Sequence, residues 1–214
     1  MGLFSGWFGA SKDEKALRAV FEKIRRVLED EEFQIELLPP PLQSILRTCP
    51  GYDRDPRGTG PFGYSETNPI PVNGPIGELA YLSKLETENG ERILFHRIGA
   101  IDKIDVFEAV TFSGTQWFIL FADMYHPRRS RLLPEGFRFT KEVPQFSGFH
   151  KRCDAFPYDF AEMKNADQTG LSMAYIPISK IAPWLEKRAY QRSLAHKAKL
   201  ELLNARITSF QNQS

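Results

Sequence analysis

Asp123, His126, His150 and Cys153 are the residues whose types and spacing come nearest to chemistry in this chain. They form two i,i+3 pairs, D-x-x-H and H-x-x-C, in one irregular stretch. Zinc accepts such a mixture of N, S and O ligands. The paired CxxC spacing of a structural zinc site is absent, and Pro127 restricts the first pair, so no metal and no cofactor is expected. The other chemistry these residues permit is nucleophilic. A Cys153 thiolate would have His150, Lys151 and Arg152 beside it in sequence to lower its pKa. No catalytic set is assigned, and His126, Cys153 and Asp123 are the nearest candidates. The chain carries no P-loop, GxGxxG, GxSxG, HExxH or kinase signature. The string Gly58-Thr-Gly60-Pro-Phe-Gly63 lacks the strand before and the helix after that a phosphate cradle needs, and reads as a turn.

A binding surface is more legible. Tyr125 and His126 lead into Arg128, Arg129 and Arg131, three guanidinium forks suited to carboxylate or phosphate. The formal net charge is only +1, but it is unevenly spread: residues 1–123 are net −6, residues 124–153 net +5, and residues 180–214 net +5. The second basic block contributes Arg188 and Arg192. Together these residues describe a basic-aromatic face for a protein partner with an acidic surface. Nucleic acid fits less well, because a near-neutral chain without a recognised binding pattern is far from a dedicated nucleic-acid domain.

These residues need a scaffold, and the chain is long enough to supply one. Its 214 residues are 42% hydrophobic, 26% charged and 13% aromatic, which suits one ordinary domain spanning 1–214. Ser11 and Glu14 form a capping box, and Leu17, Val20, Phe21, Ile24, Val27 and Leu28 recur at helical spacing, which predicts an N-terminal helix over 12–31. The acidic run from Glu29 to Glu32 would sit badly at that helix's C-terminus. Pro39-Pro40-Pro41 stops any helix, and a short helical turn follows near Leu42–Arg47. Residues 50–77 are rich in Pro and Gly yet carry Tyr52, Phe62, Tyr64 and Ile70, and read as an ordered loop.

Over 78–124 the apolar period changes to two. Strands are expected at Glu78–Glu86, Arg92–Ile98, Asp105–Phe112 and Gln116–Met124, with turns at Asn89-Gly90 and Ser113-Gly114. The last strand is apolar on both faces, so Phe118, Leu120 and Phe121 should be buried. Phe137–Phe139 and Ser172–Ile178 are further strand candidates, and a long C-terminal helix is expected over 183–210 with an imperfect apolar stripe. The fold class is therefore α+β: an antiparallel meander of about four to six strands covered by the N-terminal and C-terminal helices.

No segment is long and apolar enough to cross a bilayer, and peripheral contact through residues 1–10 is not expected, since no polybasic run flanks them. Two cysteines make no disulfide framework, which points to the cytoplasm. The function expected is a non-enzymatic protein–protein interaction module of inhibitor, adaptor or immunity type. A small hydrolase with a His/Cys or His/Asp site after the central strand is the alternative, and a nucleic-acid binder using the two basic blocks is the second.

Overall fold

The computed structural model describes residues 19, 22–23, 25–141, 147–161 and 188–213. The fold is α+β, built on a five-stranded mixed sheet with a two-stranded sheet beside it. Of the helix expected over 12–31, residues 12–18, 20–21 and 24 lie outside the described residues, whereas 19, 22–23 and 25–29 are helical. The helix ends there, and the acidic run starts a new one. Asp30 is the N-cap of α1 (Glu31–Glu36), its side chain accepting from the Phe33 N–H at 3.0 Å, and Glu31 and Glu32 lie in the first turn. Negative charge is favourable at that end, so the run stabilises a helix start instead of fraying a helix end. The proline triplet also begins a helix. Pro40 opens α2 (Pro40–Thr48), because a first-turn residue has no intrahelical N–H bond to lose.

The strand expected at Glu78–Glu86 is instead mostly helix. It holds α3 (Gly74–Ser83), followed by the short β2 (Leu85–Thr87). Nine of the ten α3 residues are buried. A helix enclosed on every side has no polar stripe, so its 3.6-residue period leaves no trace in the sequence. Ahead of it, β1 (Ile70–Pro71) pairs in parallel with β5 (Trp117–Asp123).

The antiparallel part of the meander is β3 (Ile93–Ile101), β4 (Ile104–Thr111) and β5, in that order. The sheet as a whole is not an antiparallel meander. Both edges are parallel additions, β1 on β5 and β7 (Gly148–Phe149) on β3. Two-residue edge strands carry too little pattern to be seen in advance. The small sheet joins β2 to β6 (Phe137–Phe139). Ser172–Ile178 lies outside the described residues.

Alternation along β4 gives the sheet its two faces. Phe107 and Ala109 join Phe95, Leu120 and Ala122 in a cluster with Leu79, Leu82, Leu28, Ile35 and Leu46 of the helices. Val106, on the opposite side, packs with Ile98, Ile119 and Phe121 against Leu203 and Ile207. Those two belong to α4 (Leu194–Gln211), which starts eleven residues later than the helix expected at 183. Ser193 caps it by accepting from the His196 N–H at 3.1 Å, while 188–193 are non-helical and 183–187 lie outside the described residues. Close approach of α4 depends on Gly99, where a Cβ atom would stand 2.6 Å from the Ile207 methyl. Leu120 and Phe121 are buried, but Phe118 is only partly so, tilted against Phe137 at 4.8 Å. Among the described residues no helix is long and apolar enough to cross a membrane.

Candidate functional site

The segment after β5 does not project away from the fold. It runs back along β1, with the His126 N–H donating to the Val72 carbonyl and the Ser130 N–H to that of Pro71. Its side chains are drawn inward as well. Arg129 is buried: its Nη1 donates to the Leu28 carbonyl at 2.8 Å, Nη2 to the Glu29 carbonyl at 3.1 Å, and Nε lies 3.3 Å from Glu31 Oε1. It supplies donors to the free carbonyls where the helix over 25–29 ends. Arg128 holds the 50–53 loop through Asp53 and the Gly51 carbonyl. Arg131 keeps an exposed side chain while its backbone N–H bonds Asp53. The expected arginine face is therefore largely an internal brace, because the acidic first half supplies partners for Arg128 and Arg129.

His126 is a staple of the same kind. Its Nδ1 is 2.9 Å from the Pro50 carbonyl, its Nε2 is 3.3 Å from Asp123 Oδ2, and Tyr52 packs on the ring at 4.7 Å. Both nitrogens face oxygen acceptors. Burial works against the Asp123 carboxylate, but His126, the Tyr125 N–H and Lys103 hold its pKa below the usual range. Tyr125 is partly buried, and its own pKa is raised by burial and by Asp105, Asp123 and Glu78 nearby.

The Cys–His pairing considered from sequence does not form. Cys153 is buried, and that burial pushes its thiol up to about 12, far from a thiolate near neutrality. Its backbone N–H donates to His96 Nδ1 at 2.9 Å. His96 must therefore carry its proton on Nε2, which it donates to Glu108 Oε2 at 2.9 Å. Glu108 is the centre of this cluster. Arg192 reaches Oε1 at 2.6 Å and Oε2 at 2.8 Å, and His196 Nε2 lies 2.9 Å from Oε1. Burial would raise the Glu108 pKa, yet these donors hold it well below the carboxylate range, while burial depresses that of His96.

A cavity of about 240 Å³ opens beside Glu108. Arg152 of the first basic block lines it together with Arg192 and Lys197 of the second, so the two blocks do meet here. Glu108, Asp154 and Glu201 share the same wall and balance them. Arg188 is exposed, and its carbonyl accepts from the Tyr158 hydroxyl at 3.0 Å.

The other face of β4 carries a second cluster. Glu78 comes from α3, Asp105 from β4, and His150 from the residue after β7. His150 Nε2 lies 2.5 Å from Glu78 Oε2 and 3.2 Å from Asp105 Oδ2. Arg97 binds the remaining Asp105 oxygen, Oδ1, at 2.7 Å. Burial pushes the Glu78 carboxyl up to about 8, with His150 pulling the other way. For His150 burial is outweighed by the two carboxylates, which raise it to about 9.

Each of the chain's four histidines thus meets a carboxylate, two of them at Glu108. Asp123, His126, His150 and Cys153 are dispersed over three separate groups instead of converging. Glu78, His96, Asp105, Glu108 and His196 were missed from sequence, although a charge inside an apolar strand, as at Glu108, is a signal that a buried partner exists. No known protein family, curated protein or solved structure matches this chain.

Proposed function

We propose that this chain is a non-enzymatic, cytoplasmic protein–protein interaction module whose docking face is the outer side of α4. One observation carries the reading: α4 has two opposed apolar sides. Leu203 and Ile207 face the sheet and are buried. Opposite them, Leu194 is 85% exposed and Leu202 69% exposed. Ala195, Ala198, Leu202, Ala205 and Ser209 follow one another at alternating i+3 and i+4 steps, all exposed. That spacing is the seam along which a second helix packs, and small residues let the backbones approach closely. A surface helix with one packing partner needs one apolar stripe, so the second stripe is what a docked helix would use.

Lys199 and Arg206 run along one edge of the seam, Arg206 being paired with Glu66, and Glu201, followed by Lys197, lies on the other. Lys199 favours a partner helix with an acidic residue on that flank. Two cysteines in 214 residues, too few for a disulfide framework, fit a reducing compartment. The arginine segment at 126–131 holds the scaffold and is not assigned to the interface.

The test is a photo-crosslinking scan. A crosslinking amino acid at 198, 202 or 205 should capture one and the same acidic protein, while the same group at Glu88 should not. The double substitution Leu194→Glu and Leu202→Glu should leave thermal stability nearly unchanged, since both sites are exposed, and abolish the capture. Equal capture at 202 and at Glu88, or binding that survives the double substitution, would remove α4 as the docking face.

A further inference from the structure

We propose that Glu78, Asp105 and His150 form a binding site for one divalent transition-metal cation. Their ligand atoms, one from each residue, all lie within 4.8 Å of one another. A cation 2.0–2.2 Å from N and O ligands in tetrahedral arrangement needs ligand atoms roughly 3.3–3.5 Å apart. The His150–Asp105 separation of 3.2 Å already meets this, and the 2.5 Å separation from Glu78 must open by about 1 Å.

The observation that points to a cation is the state of Glu78. Its side chain is fully buried, its Oε2 is paired with His150 Nε2, and its Oε1 is buried with no hydrogen-bond partner. Buried carboxylate oxygens are ordinarily satisfied by donors, and Oε1 is not. A metal ion held between the three side chains would supply the electrophile that Oε1 lacks.

The surroundings are those of a coordination site. Three different elements present the ligands, so no single loop must fold around the ion. Arg97 occupies Asp105 Oδ1 and leaves Oδ2 turned toward His150, the outer-shell role that orients a ligating carboxylate. The Phe107 ring stands edge-on to His150 at 6.1 Å and limits its rotation. The His150 side chain is 25% exposed, which gives an entry path and room for a water as fourth ligand. One imidazole with two carboxylates suits zinc or manganese. Magnesium and calcium prefer all-oxygen shells.

The experiment is calorimetric titration of the full chain, freed of metal by chelator, with zinc, manganese and magnesium chlorides in separate runs. One zinc or manganese per chain is expected, with magnesium much weaker. Glu78→Gln and His150→Gln should each weaken binding by more than the ~10–100-fold typical of losing an outer-shell partner. His126→Gln, in the staple after β5, should leave it unchanged. If Glu78→Gln fails to fold, the partly exposed His150→Gln decides alone. Absence of saturable binding, or affinity unchanged in His150→Gln, would show that the three residues form a hydrogen-bonded cluster only.

Discussion

Replacing Arg129 by alanine probes the brace directly. The residue is 8% exposed, and its side chain donates to two main-chain carbonyls, Leu28 and Glu29, besides its contact with Glu31. The alanine variant keeps the backbone N–H bond to Glu31 and loses the rest. Two helix-terminal carbonyls lose a charged donor at roughly 1–3 kcal/mol each, the long, partly exposed ion pair adds little, and water recovers part, which leaves about 3 kcal/mol. For a chain of this size that lowers the melting temperature by roughly 6–12 °C. Arg128→Ala, whose ion pair with Asp53 is partly exposed, should cost about 1 kcal/mol or less. Arg131→Ala should change little, because the contribution of that residue here is its backbone. Thermal melts followed by circular dichroism and calorimetry give the order directly. An Arg129→Ala protein melting within ~2 °C of wild type, or one more stable than Arg128→Ala, would refute the account of the brace.

Other outcomes follow from the same structure. Glu108 has a depressed folded pKa, so its contribution is complete above the ordinary carboxylate value of about 4.3 and is lost as pH falls toward the folded value. Glu108→Gln should therefore lower stability at neutral pH by ~3–5 kcal/mol and flatten the acid limb of a stability–pH curve. An acid limb identical to wild type would contradict this. In native protein near pH 8, Cys49 should react with a thiol reagent well before Cys153, whose thiol is buried and pushed up to about 12; denaturant should abolish the difference. Gly99→Ala should destabilise by ~1–3 kcal/mol through collision with Ile207, and Ile207→Val should restore part of the loss in a double-mutant cycle. Phe118→Ala should cost less than the ~3–5 kcal/mol of a fully buried aromatic, since its ring is only partly covered.

What could be read in advance depended on periodicity. Strands β3 and β4 announce themselves by alternation, β5 by a nearly continuous apolar run and the turns at Gly90 and Gly114 by glycines with positive φ, and all lie close to where the residues put them. The α3 helix does not, because burial on all sides erases the polar stripe by which a helix is recognised. The parallel edge strands are two residues long and rest on pairing between distant segments. The candidate sites fail for a related reason. Glu78, Asp105 and His150 are far apart in sequence, and only the path of the chain through α3, β4 and β7 brings them together. Local strings such as Asp123–His126 drew the eye because they are short. The spatial partners of His150 and Cys153 lie elsewhere, on Asp105 and His96.

The position of Glu108 has a consequence for how the molecule opens. The α4 helix is held by two buried side chains, Leu203 and Ile207, near its start by Arg192 and His196 on that one carboxylate, and farther along by the exposed Arg206–Glu66 pair. The central strands are held by continuous ladders and by packing on both sides. Anchorage of such unequal strength divides the native state into units of different opening free energy. Amide protons of α4 should exchange through a detachment that leaves β3–β5 closed, at a cost well below global unfolding. The C-terminal helix would then behave as a hinged flap with a buried ionic latch at Glu108 and an exposed one at Arg206–Glu66, and neutralising Glu108 would speed its exchange while leaving that of β4 tied to the rest of the sheet.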